Sequence, residues 1–179
     1  MASIRAAAPG DLRALTALVR AAVEHQQQLS AAFQLAGAVD WIGHTRARLG
    51  RPNSAILLAE SSGTLCGFVD IRVVSRGGET AAPRSLAGRL LRRAQPQTGT
   101  IVKRQVYGLI EDIYVNPEYR GAQLGTRLLE AASQWFAARD IFDVEAAVWA
   151  ANDASLCFFR KLDFAPARIL MRRTKPGTV

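Results

Sequence analysis

The chain has little that would cross-link, metallate or anchor it. Its 179 residues include two cysteines, Cys66 and Cys157, and two histidines, His25 and His44. That is too few cysteines for a disulfide framework, and the scattered set makes no metal cluster, so no metal is expected. No apolar run approaches the roughly 18 residues of a membrane span. The opening Met1-Ala2-Ser3-Ile4-Arg5 has no long apolar stretch of the secretory kind. These absences point to the cytoplasm, reduced thiols and no membrane partner.

Acidic residues are also sparse. There are 15 Asp and Glu against 23 Lys and Arg, for a formal net charge of +8. The excess is concentrated at Arg76, Arg84, Arg89, Arg92, Arg93, Lys103 and Arg104, where Glu79 is the lone acid. Such a balance favours an anionic partner, whether nucleic acid, a phosphorylated ligand or an acidic protein surface. No aromatic residue interleaves this basic stretch, so base stacking is not signalled and nucleic acid is not the expected partner.

Apolar residues make up 49% of the chain and charged ones 21%, ordinary usage for a packed domain. One domain over 1–179 is expected, with 76–105 a basic insertion or mobile loop between strands. Ser3-Ile4-Arg5-Ala6 reads as a strand. Pro9 and Asp11 suit a first helical turn, and Leu12, Leu15, Leu18, Val19, Ala22 and Val23 continue it at helical spacing over 9–25. A second helical region spans 31–49, interrupted near Gly37 and ended by Gly50-Arg51-Pro52. A hairpin over 55–60 and 65–74, a strand over 106–115, a helix from Gln123, a strand over 142–149 and a helix over 153–161 follow. Phe164 and 168–173 suggest closing strands. This order is mixed α/β (α+β).

One segment carries chemistry: Glu111-Asp112-Ile113-Tyr114-Val115-Asn116-Pro117-Glu118-Tyr119-Arg120-Gly121-Ala122-Gln123-Leu124-Gly125-Thr126. A strand, a tight turn and a helix N-terminus gather free backbone N–H groups at one point, where the helix dipole also favours an anion. Gly121 and Gly125 permit close approach, Arg120 adds charge, and Thr126 offers a hydroxyl. A P-loop would need Gly-Lys-Ser/Thr, and a dinucleotide fold needs three glycines in its own spacing. Neither pattern is here.

Arg120-Gly121-Ala122-Gln123-Leu124-Gly125 resembles the pyrophosphate loop of GNAT acetyltransferases, with Gln123 where a glycine is usual. Asn152-Asp153-Ala154-Ser155-Leu156-Cys157-Phe158-Phe159-Arg160-Lys161-Leu162-Asp163-Phe164 resembles that family's second coenzyme element, with Asp163 for glycine and Phe159 for tyrosine. The resemblance is close over 106–173 and follows element order alone before that. It implies a GNAT fold: a mostly antiparallel sheet of six to seven strands with a splayed pair, flanked by about four helices.

The resemblance also implies an N-acetyltransferase using acetyl-CoA as cosubstrate. Ile113, Tyr114, Val115, Arg120, Gly121, Ala122, Gln123, Gly125, Thr126, Asn152, Ser155, Phe158 and Phe159 would hold the coenzyme. Glu111 and Asp112 would act on the amine, Glu111 being favoured as base through water and Asp112 as amine anchor, or the reverse. Successive strand residues face opposite sides, so both reach one site only if the strand bulges there. The acids suggest a cationic small-molecule or peptide amine as acceptor, and the family makes a homodimer plausible. Phe159 has no proton to give, leaving water, Cys157, Tyr107, Tyr114 or Tyr119 for the departing thiolate. The alternatives are a GNAT-fold protein that binds acyl-CoA without transferring it, and a nucleic-acid-associated basic protein.

Overall fold

The computed structural model describes residues 2–30, 33, 35, 37–76 and 105–171. Its frame is a twisted sheet in the order β1-β2-β3-β4-β5. Strands β1 (Ser3–Ala6), β2 (Ser54–Ser61), β3 (Thr64–Arg76) and β4 (Gln105–Val115) are antiparallel, and β5 (Val144–Ala146) joins β4 in parallel. The β2–β3 hairpin follows from its turn. Ser62 and Gly63 both have positive φ, 50° and 77°, the two-residue connection that matches strand twist.

Helix α1 (Leu12–Leu29) runs past the expected end because Gln26-Gln27-Gln28 are good helix formers. Its first turn is a 3-10 turn over Pro9–Asp11. Helix α2 (Trp41–Leu49) starts ten residues later than the sequence suggested, because the Asp40 carboxylate caps it by accepting from Gly43 N–H at 2.9 Å. Residues 31, 32, 34 and 36 of that expected helix lie outside the described residues.

Leu15, Leu18 and Val19 of α1 pack on Ile56, Leu58 and Phe68 on one face of the sheet. On the other face, α3 (Leu124–Ala137) buries Leu124, Leu128, Ala132 and Phe136 against Val69, Ile71 and Ile110. Helix α4 (Asp153–Arg160) adds Phe159 to that second core. The mixed α/β class is as expected, and four helices flank the sheet among the described residues.

The sheet, however, has five strands among the described residues, not six to seven. Beyond α4, residues up to Met171 form no ladder, and Ile169, Leu170 and Met171 are exposed. Arg168 is held to Glu145 by an ion pair at 3.4 Å, without main-chain pairing. Apolar alternation alone does not make a strand when no neighbouring edge receives it. The expected basic insertion lies outside the described residues over 77–104.

Candidate active site

Strand β4 builds the site by changing partners along its length. Its pairing with β5 is confined to Gly108, Leu109 and Ile110. Past Ile110, β4 stays bonded to β3, while β5 ends at Ala146 and the chain turns toward α4. The two strands therefore splay, and a cleft of about 780 Å³ opens between them. Every residue assigned from the sequence to catalysis or coenzyme contact lines it except Ala122, which is exposed on the turn.

A bulge decides which side chains share a face. Asp70 pairs with Asp112, but the next residue, Ile71, pairs with Ile110, leaving Glu111 as the extra residue. Ile113 and Ile110 thus both face the α3 core, although alternation would oppose them. Glu111 and Asp112 instead both meet arginines brought by α2 and the residues after it. The condition placed on the two acids by the sequence is met.

Both acids are tied. Arg48 of α2 donates from Nε to Asp70 Oδ2 and from Nη2 to Asp112 Oδ2, each at 2.5 Å. Arg51 donates to Glu111 Oε2, and Arg72 Nε lies 2.8 Å from Glu111 Oε1, a contact of charge without hydrogen-bond alignment. The Glu111 side chain is 21% exposed and that of Asp112 46%, so Asp112 is the carboxylate open to the cleft. Asp70 is buried, and its Oδ1 has no partner among the described residues. Burial pushes the Asp70 carboxyl up, and Arg48 only partly opposes this. Burial works against the charge on Arg48 too, but Asp112 and Asp70 override it and the net push is upward. Both shifts are upward, which disfavours the charge on Asp70 and favours that on Arg48, because one guanidinium serves two carboxylates and Asp70 is the one left half-satisfied.

At the far end of the cleft, a 3-10 turn over Pro117–Tyr119 leads into α3. The first helical acceptor is Gln123 C=O, which takes Arg127 N–H at 3.0 Å. The main-chain N–H groups from Gly121 to Thr126 therefore have no protein acceptor among the described residues. They are consecutive donors at a helix N-terminus, the arrangement that binds phosphate. Gly121 has φ +86°, and a Cβ built there would meet nothing within 4 Å, so the space beside the turn is open. Gln123 has φ 56° and ψ 17°, a left-handed conformation. This accounts for the glycine usual at that place, since a side chain there carries strain. Gly125 serves packing instead: a Cβ on it would come within 3.2 Å of the Phe158 ring. Arg120 folds back, donating from Nε to Val115 C=O at 3.1 Å.

Asn152 caps α4, its Oδ1 accepting from Ser155 N–H at 3.0 Å. Phe159 is buried between the rings of Phe158 and Phe164, at centroid distances of 5.3 and 5.1 Å. Of the residues weighed as proton donors in its place, Tyr114 and Tyr119 line the cleft. The Tyr107 hydroxyl accepts from Arg76 at 2.7 Å at the opposite end of β4, and Cys157 faces solvent outside the cleft lining.

Sequence reading missed the roof. His25 and Gln26 of α1 and Phe33 after it all line the cleft. The His25 ring lies 6.4 Å from Tyr114 of β4, Gln26 meets Asn152 of α4, and Phe33 stands edge-on to Trp149 at 5.8 Å. His25, Gln26 and Phe33 thus between them touch both sides of the opening. Burial and then the charge of Arg120 hold His25 below its ordinary value. Nothing in helical periodicity distinguishes these positions from solvated ones. Arg48, Arg51 and Arg72 were equally silent, since their partners are distant in sequence.

A splayed strand pair ending on a helix N-terminus with free amides defines the acetyltransferases of GNAT fold. The chain belongs to the GNAT acetyltransferase family, whose model matches residues 19–164, and it is an N-acetyltransferase. No curated protein sequence matches it. Among solved structures it is similar to a single-site mutant of the BH1408 protein from Bacillus halodurans, with 17% identity, TM-score 0.75, and 97% of this chain and 99% of that one covered. It is similar to aminoglycoside N-acetyltransferase AAC(6')-Iy in complex with CoA, with 17% identity, TM-score 0.65, and coverage of 98% and 95%. It is also similar to a ribosomal-protein-alanine N-acetyltransferase from Brucella melitensis biovar Abortus 2308, with 12% identity, TM-score 0.66, and coverage of 98% and 99%. At these identities the likeness is one of fold. No helix among the described residues is long and apolar enough to cross a membrane.

Proposed function

We propose that the chain, acting as one domain, transfers an acetyl group from acetyl-CoA to a primary amine of a cationic acceptor. The observation that carries this reading is the row of unpartnered N–H groups from Gly121 to Thr126, set beside the splay between β4 and β5. These donors, the open space at Gly121 and the charge of Arg120 suit a diphosphate. Acetyl-CoA supplies the acetyl group as a thioester, which an amine attacks directly while both are bound.

Main-chain groups of Ile113 to Val115 along the edge that β5 leaves are placed to orient the arm and polarise the carbonyl. Asp112 takes the amine proton through water, being the more open carboxylate, and Glu111 is held by Arg51 and Arg72 as the anchor of the bulge. Tyr114 and Tyr119 stand in the cleft as donors for the thiolate that Phe159 does not serve. Aminoglycosides, named for one of the similar structures, are polyamines and belong to the class of cationic acceptors. A cytoplasmic setting and a homodimer complete the reading, to be checked by cell fractionation and light scattering.

The test is thiol release from acetyl-CoA across a panel of amines, with Asp112→Asn and Glu111→Gln in parallel. Asp112→Asn should lower kcat by about 10²–10⁴-fold, the usual worth of a proton-transfer group. Wild-type rates in both variants on a true substrate would remove the assignment.

A further inference from the structure

The side-chain amide of Gln26 is oriented by a chain of bonds that begins in the main chain of α4. Ser155 N–H donates to Asn152 Oδ1 at 3.0 Å, which fixes the Asn152 amide with its nitrogen outward. That nitrogen, Nδ2, donates to Gln26 Oε1 at 3.4 Å. Turning the Gln26 amide over would set two NH2 groups against each other, so its oxygen must face Asn152. The Gln26 Nε2 group is then left buried with no acceptor among the described residues. Buried donors of this kind are rare in folded proteins and are destabilising unless an acceptor arrives.

Gln26 lines the same cleft as Ile113 to Val115, on the roof that α1 lays over it. The family resemblance gives coenzyme contact to Asn152, yet here both ends of that amide are engaged within the protein. We infer that Gln26 is a positioning residue for the coenzyme, its Nε2 donating to an amide carbonyl of the pantetheine arm, with Asn152 acting through it. This rests on the acetyl-CoA reading above. An extended arm with alternating amides fits a groove flanked by a strand edge on one side and an amide donor on the other.

Two variants separate the roles. Gln26→Leu keeps the volume and removes the donor. Asn152→Asp keeps the helix cap but offers an acceptor to Gln26 Nε2, engaging that donor within the protein. Binding of CoA and of adenosine 3′,5′-bisphosphate, which lacks the arm, is measured by calorimetry on the full chain. Each variant should weaken CoA about tenfold and leave the bisphosphate within twofold of wild type, and the double variant should lose no more than either single one. The thermal midpoint of Gln26→Leu should stay near that of wild type, since the unsatisfied Nε2 donor goes while Asn152 Nδ2 loses its acceptor.

CoA affinity within twofold of wild type in Gln26→Leu would overturn the inference, as would equal losses for CoA and the bisphosphate. Wild-type protein that fails to bind CoA at all would instead defeat the reading on which this one stands.

Discussion

Replacing Arg48 by methionine removes one guanidinium from between two carboxylates and tests how the site is held. The Arg48 side chain is 7% exposed and that of Asp70 is 1% exposed. Breaking such a buried pair costs about 3–5 kcal/mol, because a charge is left without compensation. The link to Asp112 is 46% exposed on the acid's side and adds no more than about 1 kcal/mol. A total near 4 kcal/mol at pH 8 is therefore expected from urea unfolding.

The pH dependence is the sharper readout. The folded Asp70 carboxyl already lies above its ordinary value, and loss of Arg48 raises it further. The folded state then keeps a proton that the unfolded chain has released, so stability falls as pH rises through the folded value and stays low above it. The deficit of Arg48→Met should shrink on going from pH 8 to pH 5, as Asp70 takes up its proton. Adding Asp70→Asn should recover about half of the loss at pH 8, by removing the buried charge. A deficit below about 1 kcal/mol at pH 8, or one unchanged at pH 5, would refute the reasoning.

Gln123→Gly should stabilise the fold by up to about 1 kcal/mol, the left-handed strain of about 1–2 kcal/mol being partly offset by glycine's chain entropy; a fall in the denaturation midpoint would count against the strain. Asp11 is held down from 3.8 to about 2 by its bonds from Arg5 and by Ala8 N–H. Its contribution should be intact above pH 4 and vanish toward pH 2, and, with Arg5 39% exposed, amount to about 1 kcal/mol. Arg5→Ala should flatten that acid limb in circular dichroism, and an unaltered limb would contradict this source. Phe159→Tyr restores a hydroxyl among Phe158, Phe164 and the cleft, and should raise kcat toward the ~10²-fold lower bound for a proton donor. Unchanged turnover in stopped-flow thiol release would mean that thiolate departure needs no such help.

The chemistry was legible in the sequence wherever it depends on neighbours along the chain. A turn that exposes amides, a helix that begins at Leu124 and an asparagine cap at Asn152 are set by residues within a few positions of one another. The same locality made the hairpin at Ser62-Gly63 and the apolar faces of α1 and α3 readable. Strand number was not local. Residues up to Met171 have the apolar character of a strand, but pairing needs a partner edge that no periodicity describes.

What sequence order determined by itself is the turn that exposes main-chain amides before α3, the succession of strands and helices, and the presence of two adjacent acids on β4. Tertiary structure alone decided how those acids are used. The bulge at Glu111 turns both to one face, and arginines up to 64 residues away in the chain arrive there to neutralise them. It also decided that α1 roofs the cleft and leaves Gln26 with a free donor. Charge and hydrogen bonding act through distance in space, and only the packed sheet brings Arg48, Asp70 and Asp112 within reach of one another.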